Sequence, residues 1–190
     1  MEGENGMRWE SRRMLANGEM LVLRSLTAQD APAGLELTKK TSAETRNMSR
    51  YPDEVRMSEE QEAAFLQSAL ENPRALVLGA FLSGQLIGMC SVLPIGPQER
   101  LRHRGGLGIS VLRAYWHRGV ATALMENCIR AAEEAGIEQI ELDVVSTNAR
   151  ARAIYERLGF QIFGLNRRAM KYRDGTYADL ILMRLDLISP

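Results

Sequence analysis

The apolar residues of the chain follow two periods, and the alternation between them predicts the order of strands and helices. Short apolar runs that end at turn residues indicate β-strands, whereas apolar residues at steps of three and four indicate amphipathic helices. Strands are predicted over 20–25, 75–82, 85–93, 107–112, 139–145, 160–170 and 176–185. Helices are predicted over 27–40, from 58 to beyond 70, over 120–135 and over 149–158. This order is typical of an α/β protein with a mixed central sheet of about seven strands and about four helices.

One stretch of this pattern carries a chemical signal, because a strand leads through an Arg-Gly turn directly into a helix. The strand ends near Leu112, and the helix that begins at Val120 keeps its apolar periodicity until Gly136. The first N–H groups of a helix have no partner inside it, so a glycine beside them allows a phosphate to bind. The alternative is that the glycine only closes the turn. The sequence has neither a Walker motif nor Gly-x-Gly-x-x-Gly after a strand.

This turn resembles the signature of the GNAT superfamily of acyl-CoA-dependent N-acetyltransferases, Gln/Arg-x-x-Gly-x-Gly/Ala. The six positions over 116–121 read Trp-His-Arg-Gly-Val-Ala, with Trp116 in place of Gln or Arg. The stretch over 140–160 is similar to the next strand, the Asn-headed helix and the closing Leu-Gly-Phe of that family. The resemblance covers roughly residues 20–187. It implies the GNAT fold, in which two parallel strands splay apart at the cofactor site.

The resemblance implies acetyl-CoA as the cosubstrate, and its binding residues are carried over position by position. The strand edge at Ile109, Ser110 and Val111 would pair with the pantetheine arm, and the Val111 N–H could hold the oxyanion. Asn148 would contact the cofactor, although an Asn at this place is also a common helix cap. The pyrophosphate would lie on the backbone of six residues, His117, Arg118, Gly119, Val120, Ala121 and Thr122.

Tyr155 and Asp143 are the candidate catalytic residues. Tyr155 follows Asn148 by seven residues, which places both on one helix face, and it resembles the family's general acid for the departing thiolate. Considered by itself, Tyr155 would be a core aromatic. Asp143 lies where ribosomal-protein alanine acetyltransferases carry a glutamate base, but a strand carboxylate could equally make a structural hydrogen bond. Gly105-Gly106 stands where many relatives have an acidic residue.

The polar loop over 49–55 is the predicted acceptor-binding element, because the family roofs its substrate with the connection between its first two helices. Tyr51, Asp53 and Glu54 are candidate amine-binding residues, with an ordinary loop closed by Pro52 as the alternative. The expected reaction is direct attack of a primary amine on acetyl-CoA in a ternary complex. A small-molecule amine is slightly favoured over a protein N-terminus or lysine, because acidic residues suit a compact cation. A non-catalytic acyl-CoA sensor module is the alternative of another class.

Composition bears on the domain count, the class of partner and the cellular compartment. With 190 residues, 45% of them hydrophobic, the chain is predicted to form one domain over 19–190 after a polar N-terminal extension over 1–18. The 24 basic and 24 acidic residues balance, so no overall field attracts nucleic acid or an anionic membrane. Cys90 and Cys128 lie in apolar segments without metal-ligand spacing, so we expect reduced thiols, no metal site and a cytoplasmic protein. The resemblance leaves open a homodimer through the C-terminal hairpin or an exposed sheet edge.

Overall fold

A computed structural model of the protein describes residues 8–188, in which one mixed sheet carries helices on both faces. The strands are β1 (Glu10–Met14), β2 (Met20–Ser25), β3 (Leu76–Leu82), β4 (Gln85–Pro94), β5 (Arg104–Val111), β6 (Gln139–Val145), β7 (Gln161–Lys171) and β8 (Tyr177–Asp186). The α-helices are α1 (Ala31–Glu44), α2 (Glu59–Glu71), α3 (Val120–Glu134) and α4 (Ala149–Arg157). The strands are arranged in the order β1-β2-β3-β4-β5-β6-β8-β7. The predicted mixed α/β fold is confirmed, with one strand more than expected.

The additional strand is β1, which lies in the segment that the sequence analysis placed in the polar extension over 1–18. It pairs antiparallel with β2, from Glu10 opposite Arg24 to Met14 opposite Met20. β1 is mostly exposed, so it has no alternation of apolar and polar residues that would predict a strand. Trp9, just before it, anchors this edge to α3 through an indole hydrogen bond to the Asn127 side chain at 2.9 Å. Residues 1–7 of the predicted extension lie outside the described residues.

The sheet separates two apolar clusters, because successive residues of each strand face opposite sides. On one side α3 and α4 cover the middle of the sheet and bury Leu78, Leu124 and Tyr155 among others. On the other side α1 and α2 pack over the same strands and bury Leu66 and Val77. Both cysteines belong to the first cluster as buried free thiols, as predicted.

Strands β5 and β6 separate soon after they begin, and this separation positions the site. They run parallel, and on β5 only the residues from Arg104 to Gly106 are paired with β6. Beyond that point β5 continues to Val111 and β6 to Val145. The crossover between them contains α3 and lies on the side of the first apolar cluster. The result is a gap between the carboxyl ends of two adjacent parallel strands, as the resemblance implied.

Candidate active site

The edge of β5 beside the gap is a stretch of backbone without a neighbouring strand. On its other side β5 pairs with β4, and the N–H of Leu112 donates to the carbonyl of Ile87 at 3.0 Å. Because the bonding direction alternates along an antiparallel pair, the N–H and C=O groups of Ile109 and Val111 point into the gap. Ser110, between them, bonds toward β4. The predicted strand edge over 109–111 therefore lies where an extended ligand could pair with it.

The turn before α3 holds two residues in the left-handed backbone region, His117 at φ 63° and Gly119 at φ 81°. Gly119 is the N-cap of α3, and no side chain of the described residues caps the helix there. The N–H groups of the first turn therefore have no intrahelical partner. A Cβ built on Gly119 would meet no described atom within 4 Å, so the approach to these groups is open. The predicted pyrophosphate positions over 117–122 thus have the form of an anion site.

Trp116, the residue that departs from the family signature, ties this turn to the end of β5. Its indole N–H donates to the Val111 carbonyl at 2.8 Å. Arg113 and Arg150 lie over the indole ring, with guanidinium carbons 5.7 and 4.4 Å from its centre. Arg118 belongs to the same turn and is exposed. Two cationic side chains therefore lie over Trp116 at this end of the gap, whereas Arg118 pairs with Glu19 at 3.5 Å and lies over the Tyr115 ring.

Asn148 is the N-cap of α4. Its side-chain oxygen accepts a hydrogen bond from the Ala151 N–H at 3.3 Å, which is the helix-cap role that the sequence allowed. A contact between Asn148 and a cofactor stays a prediction. Sequence analysis did not single out Arg150, two residues further on. The signal was available, because a cation in the first turn opposes the helix dipole and is better tolerated when an anion binds nearby.

Tyr155 on α4 has 7% of its surface exposed, and its ring packs against Phe160 with 6.0 Å between the ring centres. Burial raises the pKa of its hydroxyl above the usual value, and Cys90 and Asp143 raise it further. The hydroxyl is therefore protonated at neutral pH and available as a proton donor. Asp143 is exposed on β6, beyond the point where β6 leaves β5. Asp143 is thus near enough to Tyr155 to act on its pKa, but along β6 it alternates with Leu142 and Val144, which face the apolar cluster that contains Tyr155, so the Asp143 side chain points to the other face of the sheet.

The predicted acceptor-binding residues contact the turn between β7 and β8. The Tyr51 hydroxyl accepts from the Arg173 backbone N–H at 2.7 Å, and the Asp53 carboxylate lies 2.6 Å from the Arg173 guanidinium. The hydrogen bond from Arg173 lowers the pKa of Asp53. Glu54 accepts from the Tyr51 N–H at 2.8 Å and so stabilises the loop itself. All three side chains have partners within the protein, and their part in amine binding stays a prediction.

A second set of contacts fastens the same loop to the β7–β8 hairpin. Arg46 lies 3.0 Å from the Asp174 carboxylate, and the Tyr172 hydroxyl donates to the Arg46 carbonyl at 3.1 Å. We call these contacts and those of Arg173 the loop–hairpin bridge. Next to it, at the carboxyl end of β6, is a cleft of about 360 Å³. Its lining includes Asn47, Ser146, Thr147, Tyr177 and Asp179.

The sequence is similar to those of known acetyltransferases. A sequence model of the Acetyltransferase (GNAT) family matches residues 41–160. The L-amino acid N-acetyltransferase AaaT of Escherichia coli is 31% identical over 114 residues, which make up 60% of this chain and 69% of AaaT. The [Ribosomal protein bS18]-alanine N-acetyltransferase of Escherichia coli is 35% identical over 79 residues. That match covers 42% of this chain and 53% of the relative, about half of its length.

Solved structures share the fold over nearly the whole chain. The acetyltransferase of the GNAT family from Streptococcus pneumoniae superimposes with a TM-score of 0.85 at 28% identity, covering 88% of this chain and 99% of that chain. The structure of yncA from Salmonella typhimurium, solved with its cofactor acetyl-CoA, gives a TM-score of 0.79 at 19% identity. It covers 90% of this chain and 95% of that chain. None of the helices over residues 8–188 has both the length and the apolar sequence needed to span a bilayer.

Proposed function

Because the chain belongs to the GNAT acetyltransferase family, we propose that it is an N-acetyltransferase that transfers the acetyl group of acetyl-CoA to a primary amine. In this proposal the amine attacks the thioester directly while both substrates are bound. The observation that carries the proposal is the gap between β5 and β6, with the uncapped start of α3 at Gly119 and the buried Tyr155 beside it.

The residues around the gap fit acetyl-CoA. Ile109 offers its backbone N–H and C=O groups to the pantetheine arm in the manner of an added strand, whereas the Val111 carbonyl already accepts from the Trp116 indole and leaves only the Val111 N–H for the ligand. The first turn of α3 offers N–H groups to the pyrophosphate, and Arg113 and Arg150 are placed to balance its charge. Asn148 starts α4 beside the gap and so positions Tyr155. When bound, acetyl-CoA supplies the thioester whose carbonyl carbon the amine attacks.

Three groups of the chain serve the transfer in this proposal. The Val111 N–H donates to the carbonyl oxygen, where negative charge develops. The Tyr155 hydroxyl gives its proton to the departing sulfur. Burial raises the pKa of Tyr155, so the hydroxyl keeps its proton until the sulfur departs in the same desolvated gap. Asp143 is the base predicted from the sequence, and its exposed carboxylate lies at the rim of the gap.

A small molecule is our preferred acceptor. The cleft of about 360 Å³ beside the loop–hairpin bridge has the size of a small-ligand site. The relative AaaT is named for L-amino acids, which are primary amines of this size. The ribosomal relative is named for an alanine of a protein, so a protein N-terminus or lysine is the competing acceptor. A non-catalytic acyl-CoA sensor is the competing proposal of another class.

Calorimetry followed by an acceptor screen tests the proposal. The purified protein is titrated with acetyl-CoA, and the release of free thiol is then followed with spermidine, L-methionine and a peptide that begins with alanine. We expect saturable binding and amine-dependent thiol release, fastest with one of the two small amines. Binding with no thiol release from any acceptor would favour the sensor. No binding would overturn the assignment of the gap to acetyl-CoA.

Compartment and assembly are further parts of the proposal. The buried free thiols Cys90 and Cys128 support a reducing, cytoplasmic compartment. Strand β7, at the edge of the sheet, leaves Ile162, Phe163 and Leu165 about half exposed. An exposed apolar edge supports homodimerisation through β7. Light scattering after size-exclusion chromatography tests this, and a monomer at every concentration would contradict it.

A further inference from the structure

An acidic side chain on the face of the sheet that α1 and α2 cover is buried and has no bonded partner among the described residues. Glu62 on α2 is 9% exposed, whereas Glu59 and Glu60 on the preceding turn are exposed. Among the described residues none makes a hydrogen bond or an ion pair with the Glu62 carboxylate, and Arg50 acts on it only from a longer range. The stem of the side chain is buried while the carboxylate oxygens still reach solvent, so an anion without an internal partner is open to an external cation.

The Glu62 carboxylate lies where α1, α2 and β4 meet. A Cβ built on Gly34 of α1 would be 3.3 Å from Glu62 Oε1 and 3.8 Å from Met89 Sδ on β4. A glycine within a helix costs about 1 kcal/mol relative to alanine. Packing explains the glycine at position 34, because a larger residue there would press against the Glu62 carboxylate. Met89 is opposite Ser110 on β5, so Glu62 lies one side chain away from the proposed cofactor strand.

Between this carboxylate and the gap, the face of β4 and β5 carries mostly small residues. Met89 is opposite Ser110 and Ser91 is opposite Gly108, so these four residues face the side of α1 and α2. Gly108 is exposed although β5 is a central strand. Among the described atoms, a Cβ on Gly108 would come within 4 Å of Ser91 Oγ alone, at 3.5 Å. This part of β4 and β5 therefore carries small residues at three of its four positions, with Met89 as the one bulky side chain.

A second buried polar group lies further along α1. The Ser42 hydroxyl is buried and has no hydrogen-bond partner within the described part of the chain. Buried hydroxyls are normally paired, so an unpaired one suggests a partner that the protein itself does not supply. This end of α1 lies at the end of β5, where Glu44 accepts from the Arg113 N–H at 2.7 Å. The inner side of α1 therefore has polar groups from the neighbourhood of Glu62 to the end of the cofactor strand.

We propose that Glu62 binds the ammonium group of an alkylamine acceptor and takes the proton that this group must lose before it attacks acetyl-CoA. This inference rests on the proposed function and assigns the base to α2 instead of to Asp143. The acceptor class is a cation, because the site offers it a partly desolvated anion that no other group of the described chain neutralises. Burial raises the pKa of Glu62, which brings a carboxylate closer to the range in which a base works at neutral pH.

The proton and bond changes of this proposal balance. One proton passes from the ammonium nitrogen to a Glu62 carboxylate oxygen and leaves a neutral amine. The nitrogen forms a bond to the carbonyl carbon, and the bond between that carbon and sulfur breaks. The sulfur leaves with the proton of Tyr155, and the nitrogen loses its second proton through solvent to restore the Tyr155 hydroxyl. Glu62 then releases its proton to solvent.

Glu62→Gln tests the proposal, with Glu59→Gln as the control on the exposed first turn of α2. The probes are the amines of the acceptor screen, spermidine, L-methionine and the alanine peptide. We expect both variants to bind acetyl-CoA like the wild type. We expect Glu62→Gln alone to lose kcat/KM at pH 7 by about 100-fold or more, the usual range for a lost acid–base group. Glu62→Asp, which keeps the charge but withdraws it by one methylene, is expected to lose less.

The pH dependence separates proton transfer from a packing defect. The neutral fraction of an alkylamine rises about tenfold per pH unit below its pKa, so the defect of Glu62→Gln is expected to shrink from pH 7 to pH 9. The groups that face the carboxylate are Gly34 from α1, Met89 from β4 and Arg50 from the loop, and Arg50 stays charged throughout. Equal rates for Glu62→Gln and Glu59→Gln, or a defect that does not change with pH, would overturn the role of Glu62. A wild type that releases no thiol would overturn the proposed function itself.

Discussion

Among single residues, Tyr155 is both a buried core side chain and the candidate general acid. Burial raises the pKa of its hydroxyl, so the proton stays on the oxygen in the resting protein. We expect Tyr155→Phe to bind acetyl-CoA with unchanged affinity and to lose about 100-fold or more in kcat, because a general acid contributes in that range. Calorimetry and the thiol assay measure the two effects separately.

Tyr115→Phe is the control for this substitution, because the Tyr115 hydroxyl is exposed and makes only a 3.4 Å contact with Gln85. It is expected to keep both affinity and rate. If Tyr155→Phe kept the wild-type rate, the hydroxyl would not be the acid, and the side chain would serve the core alone.

Gly119 differs from Tyr155 because its predicted role depends on its backbone conformation. Gly119 and Gly136 lie at opposite ends of α3, have φ values of 81° and 73°, and have open space where a Cβ would stand. Gly119→Ala and Gly136→Ala should therefore each lose about 1 kcal/mol of unfolding free energy, the cost of a left-handed non-glycine residue. Only Gly119→Ala is expected to weaken acetyl-CoA binding, because its methyl group would enter the open space through which a phosphate approaches the uncapped N–H groups. Urea unfolding and calorimetry compare them, and equal acetyl-CoA affinity in both variants would contradict the anion site.

These residues differ from Glu62 and Arg150 in how far the sequence could reveal them. Gly119 and Tyr155 belong to short local patterns, and the family resemblance carried by those patterns gave both residues their predicted roles. Glu62 has no such pattern, because its burial depends on α1 and β4, which come from distant parts of the chain. Arg150 gains its meaning only when α4 packs beside Trp116. Local motifs were predictable, whereas the environment that tertiary packing creates was not.

At the scale of elements, the loop between α1 and α2 shows the same limit. Its acidic and aromatic residues were noticed, but Arg173 lies some 120 residues later and its contact with Asp53 leaves no trace in local sequence. β1 was missed for another reason, because its exposed residues carry no period. The gap between β5 and β6 came from the resemblance, since neither strand shows in its own sequence where pairing stops.

If the loop–hairpin bridge shapes the acceptor site, breaking it should weaken amine binding and leave acetyl-CoA binding unchanged. Arg173→Ala removes the guanidinium that pairs with Asp53 and stacks over Tyr51 at 4.0 Å. We expect KM for the amine to rise several-fold, because the loop loses a fixed position, while acetyl-CoA affinity stays unchanged. The unfolding free energy should change by less than about 1 kcal/mol, since exposed ion pairs contribute little.

The control for the bridge is Arg167→Ala, an exposed arginine of β7 outside these contacts. Steady-state kinetics with both substrates varied distinguish the outcomes. An equal KM for the amine in the two variants would show that the bridge does not shape the acceptor site. A loss of acetyl-CoA affinity in Arg173→Ala would place the loop on the cofactor side instead.

At the scale of the whole molecule, a net charge of zero conceals an uneven distribution. The chain carries 24 basic and 24 acidic residues. Arg113 and Arg150 gather over Trp116 before α3, on the side proposed for the phosphates, whereas Glu62 lies on α2, on the other face of the sheet. The two substrates differ in the same way, one an anion with several phosphate charges and the other an ammonium ion. Local electrostatic fields, and not the overall charge of the protein, therefore direct each substrate to its own part of the site.

This distribution predicts that salt weakens acetyl-CoA binding even though the protein is neutral overall. Raising NaCl from about 0.1 M to about 1 M shortens the screening length from about 10 Å to about 3 Å, so the pull of the exposed arginines on the phosphates fades. We expect Kd for acetyl-CoA to rise several-fold, and Kd for dephospho-CoA to rise less because it carries fewer charges. Calorimetry at several salt concentrations measures both slopes. The backbone pairing of the pantetheine arm is insensitive to salt, so a Kd for acetyl-CoA that does not change with salt would mean that the arginines do not face the phosphates. Equal slopes for the two ligands would mean that the arginines act on the shared pyrophosphate and not on the 3′-phosphate.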